Sequence, residues 1–232
     1  MDNTLIDTQP LYWRALDSFC DLMVNEGFDR EEVRSRHQII NANLHDAMGY
    51  MAECFPRSLE LVVEEFAGKT EHWISLRLER IMKAARSIGM DVHKQKSPEY
   101  QYSLDAVRKA MSLGYKTAVI TAGERWVQER RFNELSMRDF FHDIWIVNKK
   151  EKQTFLDFCA KHDIPPDSSW MIGDSLKSDI IPATEAGLRT IHVQTSDWVA
   201  RDSGLTLPNS AVSVKDLTEA LAIIQKATPL PV

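Results

Sequence analysis

The 232-residue chain has little cysteine, no long apolar run and no excess of positive charge. Its three cysteines, Cys20, Cys54 and Cys159, are odd in number and far apart, which argues against a disulfide framework and offers no metal-ligand spacing. A reducing, cytoplasmic location is therefore expected. No stretch approaches the roughly 18–20 consecutive apolar residues of a membrane-spanning helix, so no membrane association is expected. The first residues also lack a basic segment followed by an apolar one, the pattern of a secretory leader. Lys and Arg number 28 against 34 Asp and Glu, a formal charge of −6, so the basic face that nucleic acid requires is missing too. There is no internal repeat and no low-complexity tract. With 44% hydrophobic and 27% charged residues, the remaining composition is that of an ordinary globular protein. The length suits one domain with a sizeable insertion, or two small ones.

Hydrophobic spacing divides the chain into two kinds of segment. Leu11, Ala15, Leu16, Phe19, Cys20, Leu22 and Met23 recur at helical intervals, with Gly27 as the stop. Residues 30–55 read as helical, and so do 58–67 through Leu59, Val62, Val63 and Phe66. A further helix over 70–88 carries Ile74, Leu78, Ile81, Met82 and Ala85. Roughly residues 10–90 thus contain no strand signal. Beyond Ser97-Pro98 helices and short apolar runs alternate. A helix over 102–113 ends at Gly114, and a strand at 117–120 runs into the turn Thr121-Ala122-Gly123. A helix follows near 124–135, then a strand at 143–147, a helix at 152–162 and a strand at 170–172 ending in Gly173-Asp174-Ser175. A helix near 179–186, a strand at 190–193, a minor strand at 211–214 and a helix at 216–227 complete the pattern. Such alternation predicts a parallel sheet with right-handed crossovers. Ligands in these sheets bind beyond the carboxyl ends of the strands, where Thr121 and Asp174 both fall.

Four segments at those strand ends follow one order: Asp2-Asn3-Thr4, then Thr121-Ala122-Gly123, then a lysine at Lys149-Lys150 ahead of Phe155, then Gly173-Asp174-Ser175 with Asp179. This order resembles the haloacid dehalogenase (HAD) superfamily of phosphatases. The resemblance covers nearly the whole chain, and the helical stretch between the first two motifs matches a cap inserted there. It implies an α/β fold with a Rossmann-like parallel sheet as core (residues 1–9 and 97–232) and an all-helical cap (10–96). It also implies Mg²⁺-dependent hydrolysis of a small phosphomonoester through an aspartyl-phosphate. Asp2 would be the acid–base that protonates the leaving oxygen and later deprotonates water. Thr121, with the backbone of Ala122 and Gly123, would donate to the phosphoryl group, and Lys150 would balance its charge. The spacing to Phe155 leaves Lys149 open as well. Asp174 would ligate Mg²⁺ directly beside the carbonyl of Asp2, and Asp179 would act through water or orient the other ligands. An Asp in the place of Asp2 points to phosphate esters rather than haloacids. Which phosphorylated metabolite is bound, and whether the chain is a monomer or a dimer, stay open.

In that motif the nucleophile stands two places ahead of Asp2, on a buried strand. The first core strand is thus expected to be absent from residues 1–232, with Met1 an internal methionine of a longer reading frame. Such a strand would bury about five apolar side chains, contributing about 7–15 kcal/mol. That rivals the roughly 5–15 kcal/mol net stability of a domain, so the chain as it stands is expected to be unstable and inactive. Two rival readings exist. One is a catalytically silent HAD-like domain that binds a phosphorylated ligand. The other is a GDSL-type esterase, suggested by Gly173-Asp174-Ser175-Leu176, although no Asp-x-x-His follows and His192 reads as a strand residue. In the helical part Tyr12, Trp13, Arg14, His72, Arg77 and Arg80 could face a substrate, but any one of them reads more simply as surface or packing.

Overall fold

A computed structural model describes residues 1–69, 75–194 and 204–227. His72 and Ile74 lie outside the described residues. The chain forms two compact units: Met1–Thr8, Pro98–Ala122 and Gln128–Val232 in one, Gln9–Ser97 and Gly123–Val127 in the other.

The second unit is helical: α1 (Gln9–Asn25), α2 (Arg30–Met48), α3 (Cys54–Ala67) and α4 (Ser75–Asp91). The Asp29 carboxylate caps α2 by accepting from the Glu32 N–H, and Glu31 and Glu32 add negative charge to its first turn. The helix stops at Gly49, with φ of 76°, before the 55 that the sequence pattern suggests. The apolar stripes of α1, α3 and α4 converge on Phe19, Met23, Leu59, Val62, Val63, Phe66 and Ile81. Each such side chain contributes about 1.5–3 kcal/mol when fully buried. Gly89 of α4 has no room for a Cβ, because the Pro56 backbone of α3 lies there. One residue breaks the apolar pattern. His37 of α2 is only 4% exposed and lies edge-on to Phe55 at 5.3 Å. Neither of its ring nitrogens has a hydrogen-bond partner among the described residues.

The other unit is α/β. In chain order it contains α5 (Ser103–Ser112), β1 (Thr117–Ala122), α6 (Arg125–Asn133) from Gln128 onward, β2 (Phe141–Val147), α7 (Lys152–Lys161) and β3 (Trp170–Gly173). There follow a π turn (Leu176–Ile180), α8 (Ile181–Glu185), β4 (Arg189–Val193), β5 (Val212–Val214) and α9 (Leu217–Ala227). Every strand pairing is parallel. β1 pairs with β2, and β3, β4 and β5 form a second set in that order. Among the described residues β1 and β3 each pair with a single strand. One apolar cluster joins both sets, through Val119 of β1, Ile191 and Val193 of β4, Val214 of β5, and Leu217, Leu221 and Ile224 of α9. Leu5 and Ile6 from the start of the chain belong to the same cluster. The sequence pattern is corrected in two places. Thr121 and Ala122, read as a turn, are the last residues of β1, in register with Ile146 and Val147. The helix read near 179–186 is a π turn followed by the short α8.

Residues 2–8 are tied down by a tight loop. Asn3 adopts φ of 54°, a left-handed conformation that Asn tolerates. Its Oδ1 accepts from the Thr8 N–H and hydroxyl at 3.2 and 2.7 Å. The Leu5 carbonyl accepts from the Tyr100 N–H and the Ser103 hydroxyl. No helix among the described residues is long and apolar enough to cross a membrane.

His37 generates a pH prediction. Burial first, with His45 and Arg34 adding to it, pushes its pKa from 6.5 down to about 3. Below pH 6.5 the unfolded chain takes up a proton that the folded chain refuses, so stability falls with acid at up to about 1.4 kcal/mol per pH unit. Denaturant unfolding of the parent and of His37→Leu should diverge as pH drops from 7 to 4.5, with the variant losing roughly 2 kcal/mol less. Parallel stability curves would show that the ring is already solvated or paired.

Candidate functional site

The carboxyl ends of β1 and β3 carry the residues that the sequence singled out. β3 ends at Gly173, which must be glycine because a Cβ would run into the Asp179 carboxylate. The chain then turns through Asp174 and Ser175 into the π turn. The Ser175 N–H donates to Asp179 Oδ2 at 3.2 Å, and the Ser175 hydroxyl caps the turn by accepting from the Ser178 N–H. π turns of this kind are frequent at functional sites. Lys150, in the loop before α7, pairs with Asp179, the two side chains being 9% and 3% exposed. Lys149 points elsewhere, 66% exposed and paired with Glu151.

Asp174 is held at both ends. Its Oδ1 accepts from the Thr4 hydroxyl at 3.0 Å. Its backbone carbonyl accepts from His192 Nε2 of β4 at 3.0 Å, and the other ring nitrogen meets the Ser213 hydroxyl of β5. A carbonyl can only accept, so His192 carries its proton on Nε2 when neutral. Burial first, then the charge of Asp179, push the Asp174 carboxyl up to about 7. Ser175 has its hydroxyl engaged in the turn, and His192 is engaged with Asp174 and Ser213. The GDSL arrangement of serine and histidine is therefore not formed.

Asp2 is bound by α6. Its Oδ2 accepts from Gln128 Nε2 at 3.1 Å and Arg131 Nη1 at 2.6 Å, both on α6. The Thr121 hydroxyl at the end of β1 donates to Gln128 Oε1 at 3.2 Å. Burial pushes the Asp2 carboxyl up, but the Arg131 guanidinium, the Met1 amino group and the Gln128 amide outweigh it and hold it below the ordinary range. Thr121 and Asp2 are thus joined through Gln128, and Lys150 is joined directly to Asp179. Ala122 ends β1, and Gly123, with φ of 144°, follows in the chain. Sequence reasoning missed Thr4, Gln128, Arg131 and His192. Thr4 sits in the opening motif and could have been found there. Gln128 and Arg131 stand one turn apart on a helix whose polar, charged sequence resembles a solvated surface.

The donor set suits a hard cation. Among the described residues no three His, Cys, Asp or Glu side chains converge on one point. The site instead offers two buried carboxylates, Asp174 and Asp179. Burying Asp174 beside a second acid is costly, as its raised pKa records, and a cation between them relieves that cost. An all-oxygen set of this kind fits Mg²⁺ better than a softer metal.

The sequence matches the family of haloacid dehalogenase-like hydrolases over residues 1–193. It is 25% identical over 155 residues to a glyceraldehyde 3-phosphate phosphatase of Methanopyrus kandleri, a match covering 61% of this chain and 66% of that protein. The chain therefore spans slightly less than two thirds of that relative. The fold is similar to that of a haloacid dehalogenase-like hydrolase from Xanthomonas campestris, with a TM-score of 0.78, 21% identity and 98% and 88% of the two chains covered. It is also similar to a magnesium-bound HAD-hydrolase of Bacillus subtilis, with a TM-score of 0.67, 17% identity and 97% and 96% coverage.

The buried Lys150–Asp179 pair predicts an asymmetry between neighbouring lysines. Lys150→Met leaves a carboxylate unpaired in the interior and should lower the unfolding free energy by about 3–5 kcal/mol, whereas Lys149→Met at an exposed pair should change it by under about 0.5. The double variant Lys150→Met/Asp179→Leu should recover most of the loss, since both charges are then gone. Chemical denaturation of the four proteins checks this, and equal losses for the two lysines would contradict the pairing.

Proposed function

The chain belongs to the haloacid dehalogenase-like hydrolases, and from that premise we propose that it serves the hydrolysis of a small phosphomonoester. The observation that carries this reading is a set of groups joined through the opening loop, Asp2 to the end of β1 by way of Gln128 and Thr4 to Asp174 after β3. It contains three carboxylates (Asp2, Asp174 and Asp179), a buried lysine (Lys150) and a strand-end hydroxyl (Thr121). A phosphoryl group in transfer carries negative charge on several oxygens and needs donors and cations around it. Thr121 turns its hydroxyl from Gln128 to a phosphoryl oxygen, and the backbone N–H groups after Ala122 add to it. Lys150 supplies positive charge between the phosphoryl group and the attacking carboxylate.

In this reading that carboxylate is the Asp two places ahead of Asp2 in the motif. It forms the new bond to phosphorus as the ester oxygen departs. Asp2 gives the departing oxygen a proton, and then takes one from the water that releases phosphate. Mg²⁺, held by Asp174 with help from Asp179 and the Asp2 carbonyl, would neutralise charge where two anions meet. The relatives named as glyceraldehyde 3-phosphate phosphatases support a phosphorylated three-carbon compound as the first substrate to test. The helical unit is the cap in this reading. The cysteine content and charge balance support a cytoplasmic small-molecule enzyme.

The test uses the 232-residue chain and a form extended by a strand that sets Asp directly before Met1. Phosphate release from a panel of phosphomonoesters, glyceraldehyde 3-phosphate included, is expected from the extended form in Mg²⁺ only. EDTA, or Asp174→Ala in that form, should reduce the rate by about 10²-fold or more. An extended form that binds phosphate esters but releases none would favour a binding domain and overturn the hydrolytic reading.

A further inference from the structure

We infer that Gln128 and Arg131 are positioning residues that decide which oxygen of Asp2 exchanges the proton: both donors are spent on Oδ2, which leaves Oδ1 for the reacting oxygen. The inference rests on the acid–base role proposed for Asp2 and adds the atom and the residues that select it. Gln128 and Arg131 are three residues apart on α6 and so present both donors from one face. They are 4% and 3% exposed. Burying a guanidinium is unfavourable unless it meets an anion, and here it reaches a carboxylate at 2.6 Å. Asp2 Oδ1, by contrast, is buried and has no hydrogen-bond partner among the described residues. A buried acceptor without a donor is rare in folded proteins, and this oxygen is open to a donor that a substrate brings.

The geometry fixes the proton in both states of Asp2. When Asp2 is ionised, two donors on one oxygen stop the carboxylate from rotating. When it is protonated, the lone pairs of Oδ2 are already taken, so the proton resides on Oδ1. As the ester P–O bond breaks, the departing alkoxide takes that proton from Oδ1. As water adds to phosphorus, it returns one proton to the same oxygen, and the cycle balances. Gln128 itself cannot be turned over. Its Nε2 donates to Asp2, and the flipped amide would set an acceptor against a carboxylate whether or not Thr121 still donates to Oε1. One side chain therefore aligns the phosphate-binding hydroxyl with the proton-transferring acid.

The test compares Gln128→Leu, Arg131→Met and Arg131→Lys in the extended form on two esters. The first is an alkyl phosphate, whose leaving oxygen needs a proton. The second is p-nitrophenyl phosphate, whose phenolate leaves without one. The expected loss in kcat/KM is about 10²-fold on the alkyl ester and under about fivefold on the aryl ester, with Arg131→Lys restoring most of it. A merely structural role would lower both equally, and that result would overturn the inference. Gln128→Leu is close in size to the parent residue and keeps the comparison available if Arg131→Met does not fold. Crystal structures of the 232-residue chain and its Gln128→Leu variant add a readout independent of turnover. The Asp2 carboxylate should rotate away from its present orientation, and an unmoved carboxylate overturns the inference even if neither ester is hydrolysed. Absence of hydrolysis together with a rotated carboxylate would overturn the functional reading and leave the clamp standing.

Discussion

Gathering three acids in one poorly solvated place is the constraint on which the rest of this molecule depends. Asp174 and Asp179 repel one another, and burial raises the cost of charge on Asp174 and on Asp2. The fold answers with two buried cations from separate elements, Arg131 on α6 and Lys150 before α7. It also directs hydrogen bonds at the acids from the Thr4 and Gln128 side chains and the Ser175 N–H. Gly173 serves the same end, since only a residue without a side chain lets Asp179 fold back onto the end of β3. The apolar cluster beneath these groups supplies the stability that such a polar site consumes.

Each acid is oriented as well as compensated. Asp174 is gripped at its carboxylate by Thr4 and at its carbonyl by His192, which is braced in turn by Ser213. These three partners come from the opening loop, β4 and β5. Asp174 is therefore braced by β4 and β5 as well as by the opening loop. The fold type is shared with proteins of several activities, so the chemistry has to be argued from these side chains.

Much of the architecture was legible in the sequence because it rests on local patterns. Val119-Ile120, Ile144–Val147 and Ile191–Val193 are apolar runs bounded by glycine or polar turns, and they form β1, β2 and β4. Gly114 and Gly187 mark helix ends at φ of 86° and 90°. The polar Thr121-Ala122 pair was harder, since only the ladder to β2 extends the strand that far. Lys149 and Lys150 were indistinguishable because adjacent loop residues share every local property. Only the opposite carboxylate, 29 residues on, separates them. Gln128 and Arg131 escaped notice because α6 carries no apolar stripe to show which of its polar residues turn inward. His37 looked like one more polar residue of a charged helix, and its burial depends on Phe55 of another helix.

The Thr4–Asp174 hydrogen bond spans 170 residues of chain, and the Asp2–Arg131 bond spans 129. Parallel strands joined by a single crossover, and the helices stacked in the other unit, close much shorter loops. Chain entropy charges the longest closures most heavily, and a contact of that span forms readily only after nearer ones have shortened the effective loop. The acids are therefore held by the longest-range contacts described in the α/β unit. Assembly of the acids thus draws on segments far apart in the α/β unit's sequence, not on any one local element.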